Sequence, residues 1–188
     1  LFLYRDVLGL ELADNINASR AKKPKRGPLV MTHEEAMKVI GLLDGTYQTM
    51  AWLLYGSGLR LMECIRLRVQ DIDFGMNHII VRSGKGMKDR VTVFPETVKT
   101  SITAQLQYVK ALHDKDILQG YGHVYLPYAL EKKYPNASRE TGWQYVFPAI
   151  HVSVDPRSGK TMRHHIVQST LQKAVKSAAK KAQIHKPI

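Results

Sequence analysis

"LLYGSGLRLMECIRLRVQDIDF", residues 53–74, passes from an apolar segment through Gly56-Ser57-Gly58 into a helix-like run carrying Arg60, Arg66 and Arg68. The two glycines predict a tight turn, which places Arg60 in the first turn of the following helix. Free backbone N–H groups and the helix dipole favour an anion there. Leu61, Cys64 and Ile65 can then anchor the helix in a core while Arg60 points outward. A plain salt bridge between Arg60 and Glu63 is the structural alternative.

Outward from this stretch, residues 46–55 read as an apolar helix. Thr32-His33-Glu34-Glu35 reads as a capping box opening an earlier helix through about Leu43. The helix that Arg60 begins spans Leu59 to about Leu67. Asn77–Arg82 and Val91–Phe94 alternate as short strands around the polar loop SGKGMKD, which predicts a β-hairpin. Pro95-Glu96 opens a helix to about His113, a short helix is expected over 128–134, and a long one over 164–184. On the last, Val167, Leu171, Val175, Ala178 and Ala182 mark an apolar face, with Lys173, Lys176 and Lys180 opposite. The pattern is mainly α with a small antiparallel β-sheet, an α+β fold.

Lys and Arg total 28 against 16 Asp and Glu, a net charge of +12 over 188 residues, 44% of them hydrophobic. That imbalance points to a polyanionic partner, DNA before a membrane, because no membrane-spanning run is present. A basic protein without a nucleic-acid role is the alternative. SRAKKPKRGP (19–28) reads as an extended basic linker whose Lys22, Lys23, Lys25 and Arg26 could track a phosphate backbone. The apolar residues before it read as the end of a preceding helix. Eight Lys or Arg and no acidic residue follow Asp155, so the lysine face with Lys173 and Lys176 is read as facing DNA. Cys64 is the sole cysteine, which fits a reducing cytosol. Gly159-Lys160-Thr161 lacks the upstream glycine of a phosphate-binding loop, so ATP binding is not expected. The eight histidines show no metal-ligand spacing. No carboxylate cluster suggests a two-metal nuclease; Asp71 and Asp73 read as a helix end turning into a strand.

GSGLRLMECIRLRVQDIDF followed by SGKGMKDRVTVFP resembles the first conserved box and β-hairpin of the tyrosine recombinases, and among them the integron integrases most. The likeness covers roughly residues 29–186. It implies DNA cleavage by a tyrosine that leaves a 3′-phosphotyrosyl link, with no metal or other cofactor. Arg60 would hold the non-bridging phosphate oxygens. Glu63 would support the active-site arginine or nearby backbone. Lys85 would be the general acid that protonates the leaving 5′-oxygen, with Lys88 and Arg90 as alternatives, or else a solvated turn lysine. Arg66 and Arg68 are expected at the surface, contacting the DNA backbone.

The same likeness makes 1–18 the end of an N-terminal core-binding domain, 19–28 the interdomain linker, and 29–188 a catalytic domain incomplete at its C-terminus. The family's His-x-x-Arg box, later His or Trp and nucleophilic tyrosine are not found in family context. Arg163 in Met162-Arg163-His164-His165 precedes the last helix and is rejected as the second catalytic arginine. Residues 1–188 alone are therefore expected to be inactive.

Residues 114–150 hold five of the nine tyrosines and one of the two tryptophans, like the extra segment of integron integrases. By that resemblance the substrates are a duplex site and a folded single-stranded cassette site with flipped-out bases. Trp143 would stack on one such base, and Pro156 with His164 would form a second pocket. Packing within the insertion's own small core is the alternative for Trp143; helix capping or phosphate contact is the alternative for His164. A homotetramer on DNA in the bacterial cytoplasm is expected. A recombinase of Xer or phage type on ordinary duplex, or a non-catalytic DNA-binding module, are the other readings.

Overall fold

The structure, a computed structural model, describes residues 3–10, 29–82, 88–127 and 130–186. The chain divides into two compact units, Leu1–Val30 and Met31–Ile188. In the first, Leu3–Val7 forms a single wide turn with every described side chain exposed, not the end of a regular apolar helix.

The second unit begins with α1 (His33–Gly41). Thr32 Oγ1 accepts from the Glu35 N–H, and Glu35 Oε2 accepts from the Thr32 N–H, the reciprocal cap its sequence predicts. α2 (Gly45–Ser57) follows and ends at Gly58, whose φ of +61° only glycine adopts without strain. Gly56, by contrast, is helical. A Cβ there would lie 2.6 Å from Pro95 Cγ, so this glycine serves a close approach and not the turn. α3 (Leu61–Ile65) is shorter than the sequence suggests, and Arg60 is its N-cap, one step before the first turn.

β1 (Ile72–Asp73), β2 (His78–Val81) and β3 (Arg90–Val93) form an antiparallel sheet in that order, with His78 opposite Val93 and Val81 opposite Arg90. A 3₁₀ turn at Glu96–Val98 leads into α4 (Lys99–Leu118), which runs past the expected end at His113. The 114–150 segment contains α5 (Leu130–Lys133) and two 3₁₀ turns. β4 (Ser153–Val154) and β5 (Thr161–Met162) make a hairpin. Gly159, at φ +67°, closes its turn, so Gly159-Lys160-Thr161 belongs to a hairpin. α6 (Gln168–Lys181) starts later than position 164 because β5 and an extended stretch come first.

The main core gathers Met50, Leu53, Ile65, Ile79, Phe94, Ile102, Phe147 and Leu171 from α2, α3, the sheet, α4 and α6. A second cluster joins α1 to α6 through Val39, Ile40, Ala178 and Ala179. Val167 falls outside the apolar face assigned to it, being 59% exposed at the N-cap of α6. A satellite cluster of Val124, Leu126, Ala137 and Tyr145 packs the insertion. Residues 144–149 are laced between two neighbours. Val146 N–H bonds Leu67 O at 2.9 Å on one side, and Ile166 N–H bonds Phe147 O at 2.8 Å on the other. This fixes the insertion beside the segment that follows Arg60.

Candidate DNA-binding and phosphate site

A cleft of about 750 Å³ opens between α3, the three-stranded sheet, the insertion and the β4–β5 hairpin. Arg60 and Glu63 stand on one side, Trp143 and Tyr145 on another, and Pro156 and His164 on a third. Arg60, named for phosphate contact, and Trp143, Pro156 and His164, named for base contact, thus line one cavity, although they are far apart in sequence.

Arg60 is held but not consumed. Its side chain is 56% exposed, while that of Glu63 is 9% exposed. Glu63 Oε1 accepts from Arg60 Nη1 at 2.8 Å, and Oε2 accepts from the Arg60 backbone N–H at 2.8 Å. The salt bridge offered as the structural alternative therefore exists, and it leaves most of the guanidinium facing solvent. Oε2 also accepts from Arg90 Nη2 at 2.8 Å. Burial opposes ionisation of Glu63, but the bonds from Arg90 and Arg60 outweigh it and bring its pKa down to about 2.

Arg68 is not the surface residue the sequence suggests. It is 7% exposed, and its guanidinium donates to Trp143 O and, at 2.8 Å, to Tyr125 O. It lies 4.6 Å from the Tyr145 ring centroid and 5.5 Å from that of Trp143. Asp71 Oδ2 accepts from the Arg68 N–H, and Asp71 Oδ1 accepts from Arg82 Nε at 2.6 Å. Arg68 is a strut under the aromatic wall because neighbouring carbonyls, not solvent, occupy its donors. Burial raises the pKa of the Tyr145 hydroxyl, which sits 3.4 Å from Arg68 Nη2. Arg66 is exposed at the cleft, as expected.

Trp143 is half-buried. It packs on the insertion's small cluster and also borders the cleft, so both roles considered for it have a structural basis. His164 Nε2 lies 3.9 Å from Asp155 Oδ1, and Asp155 accepts from the backbone and hydroxyl of Ser158 at the hairpin turn. Those Ser158 bonds pull the Asp155 carboxyl below its ordinary range. Arg163 is fully engaged: it grips Asp116 at 2.6 and 2.7 Å and donates to the carbonyls of Ala149 and Ile150.

Lys88 is exposed before β3. Lys173 and Lys176 are exposed on α6, and neither lines the cleft. Lys85, Lys22, Lys23, Lys25 and Arg26 lie outside the described residues. The sequence reading missed Arg157, 5.0 Å from the Tyr125 ring centroid, and His165, which meets Tyr145 edge-on at 5.1 Å. Their adjacency to Pro156 and His164 was the available signal. Among the described residues no cluster of His, Cys, Asp or Glu could hold a metal ion, and no helix is long and apolar enough to cross a membrane.

The model of the phage integrase family matches residues 30–188. The chain belongs to this family of tyrosine recombinases. An "Integrase/recombinase" from Escherichia coli is 42% identical over 187 residues, covering 100% of this chain and 56% of the relative. A "Tyrosine recombinase XerA" from Pyrococcus horikoshii is 30% identical over 162 residues, 82% of this chain and 51% of that protein. The chain thus spans little more than half the length of these relatives. The crystal structure of XerA recombinase superposes with a TM-score of 0.54 over 99% of this chain and 53% of that one, at 23% identity, so the fold is shared.

Proposed function

We propose that the protein is a site-specific DNA recombinase that cuts and rejoins DNA through a 3′-phosphotyrosyl intermediate. The observation that carries this reading is Arg60, largely exposed at the cleft and anchored by Glu63, in a chain of the phage integrase family. In this reading a tyrosine hydroxyl attacks the scissile phosphorus. Arg60 neutralises charge gathering on the non-bridging oxygens, and Lys85 protonates the departing 5′-oxygen. The phosphotyrosyl link keeps the energy of the broken phosphodiester, so neither ATP nor a metal is required. The full protein is expected to work in the cytoplasm as four protomers on two DNA sites. Residues 1–18 would end a DNA-clamping domain, with 19–28 as its linker.

The aromatic wall supports one substrate in particular, a folded single-stranded cassette site with extrahelical bases. Trp143 borders the same cleft as Pro156, His164 and Arg60, which suits a base held beside the scissile phosphate. The Xer-type relatives favour ordinary duplex instead.

A nicked suicide duplex, which traps the covalent intermediate, tests the chemistry in the full-length protein. A denaturant-resistant adduct should form and be slowed roughly 100-fold by Lys85→Ala. DNA binding without any adduct overturns the recombinase reading in favour of a binding module. For the substrate, a hairpin with bulged bases is compared with the same stem lacking them. Equal binding of both, unchanged by Trp143→Ala, decides for duplex.

A further inference from the structure

β3 and the α2–α3 turn are joined by two side chains of one strand face. Thr92 Oγ1 donates to Ser57 O at 2.7 Å, and Arg90 Nη2 lies 3.4 Å from Gly58 O, so β3 satisfies carbonyls that α2 leaves free at its C-terminus. The same Arg90 nitrogen donates to Glu63 Oε2 at 2.8 Å. Arg90 is also the first residue of β3, paired with Val81 where the 82–89 loop leaves and re-enters the sheet.

Glu63 thus sits between two guanidiniums with different surroundings. Arg60 is 56% exposed and Arg90 35% exposed, and Arg90 Nη1 is buried with no hydrogen-bond partner among the described residues. An arginine that leaves a buried donor unsatisfied has been placed for its other contacts, because that donor costs free energy. Arg90 is not among the residues lining the cleft.

We propose that Arg90 is a positioning residue: it holds the Glu63 carboxylate ionised and fixed from the sheet side, so that Glu63 can hold Arg60 toward the phosphate. The proposal rests on the recombinase reading for its effect on rate, but not for its effect on Glu63. Without Arg90, a carboxylate 9% exposed keeps its desolvation and loses the strongest of its stabilising partners. Its pKa then rises, only Arg60 holds it in place, and the exposed Arg60 guanidinium samples rotamers that do not face the cleft.

Two readouts on Arg90→Gln and Arg90→Lys in the full-length protein test this. The first is NMR titration of the Glu63 side-chain carboxyl. In the parent its midpoint should lie at about 2, and in Arg90→Gln it should rise toward the ordinary 4.5, with Arg90→Lys in between. The second is adduct formation on the nicked duplex from pH 4 to 8. Arg90→Gln should be slowed roughly 10- to 100-fold and acquire an acidic limb that the parent lacks, and Arg90→Lys should recover most of the rate. An unchanged Glu63 titration in Arg90→Gln overturns the proposal. So does equal slowing of both variants with a flat pH profile, the result of a purely structural role. A parent that forms no adduct defeats the recombinase reading, and the Glu63 titration still decides the role of Arg90.

Discussion

Arg60 and Arg68 stand at the two ends of one short segment and do opposite work. Arg68 donates to two backbone carbonyls and lies buried against two aromatic rings, so its fork is held in place by the protein itself. Arg60 spends one nitrogen on Glu63 and turns the rest of its fork to the cleft. The number of fixed partners separates a strut from a side chain left open to the cleft. Arg163 falls with Arg68 by the same measure, because Asp116 and two carbonyls take its guanidinium.

The sharpest break of this comparison is stability. Arg68→Met should cost about 3–5 kcal/mol in chemical denaturation, since Tyr125 and Trp143 carbonyls lose their donor in a buried site. Arg60→Met should cost less than about 1 kcal/mol, as expected for an exposed ion pair. Equal losses in the two variants would erase the distinction. Arg163→Met should lie close to Arg68→Met, at about 2–4 kcal/mol, because it leaves Asp116 buried and unpaired. Gly56→Ala should cost about 1–3 kcal/mol by forcing α2 away from Pro95, read as a lower thermal midpoint with the arginine cluster intact.

The smallest effect is the pH dependence carried by Glu63. Its folded pKa of about 2 lies below the ordinary 4.5, so its ionised form stabilises the fold above pH 4.5, and that contribution is lost as pH falls toward 2. Glu63→Gln should therefore reduce the fall in thermal midpoint between pH 6 and pH 3, by roughly 2–4 °C for about 1 kcal/mol. An identical fall in parent and variant would show that Glu63 does not carry it.

Much of the fold was legible because its signals are local. Thr32 and Glu35 announce a cap, Gly58 a left-handed turn, and the alternation on either side of SGKGMKD a hairpin. What failed depends on contacts between distant positions. Nothing near Arg68 in sequence reveals Tyr125 or Trp143, and nothing near Gly56 reveals Pro95. At the site, Arg60 and Glu63 could be read from their spacing of one turn. The share of Arg90 in the same carboxylate could not, since it comes from a strand on the far side of the hairpin.

In the proposed reading Arg60 faces the scissile phosphate. This is tested most directly by the rate at which the full-length protein forms a covalent adduct on a nicked duplex, comparing parent, Arg60→Ala and Arg60→Lys at equal DNA occupancy. The account predicts a loss of roughly 10²- to 10³-fold or more for Arg60→Ala, with only partial recovery in Arg60→Lys because an ammonium cannot bond two oxygens at once. Adduct formation by Arg60→Ala at the parental rate would contradict it.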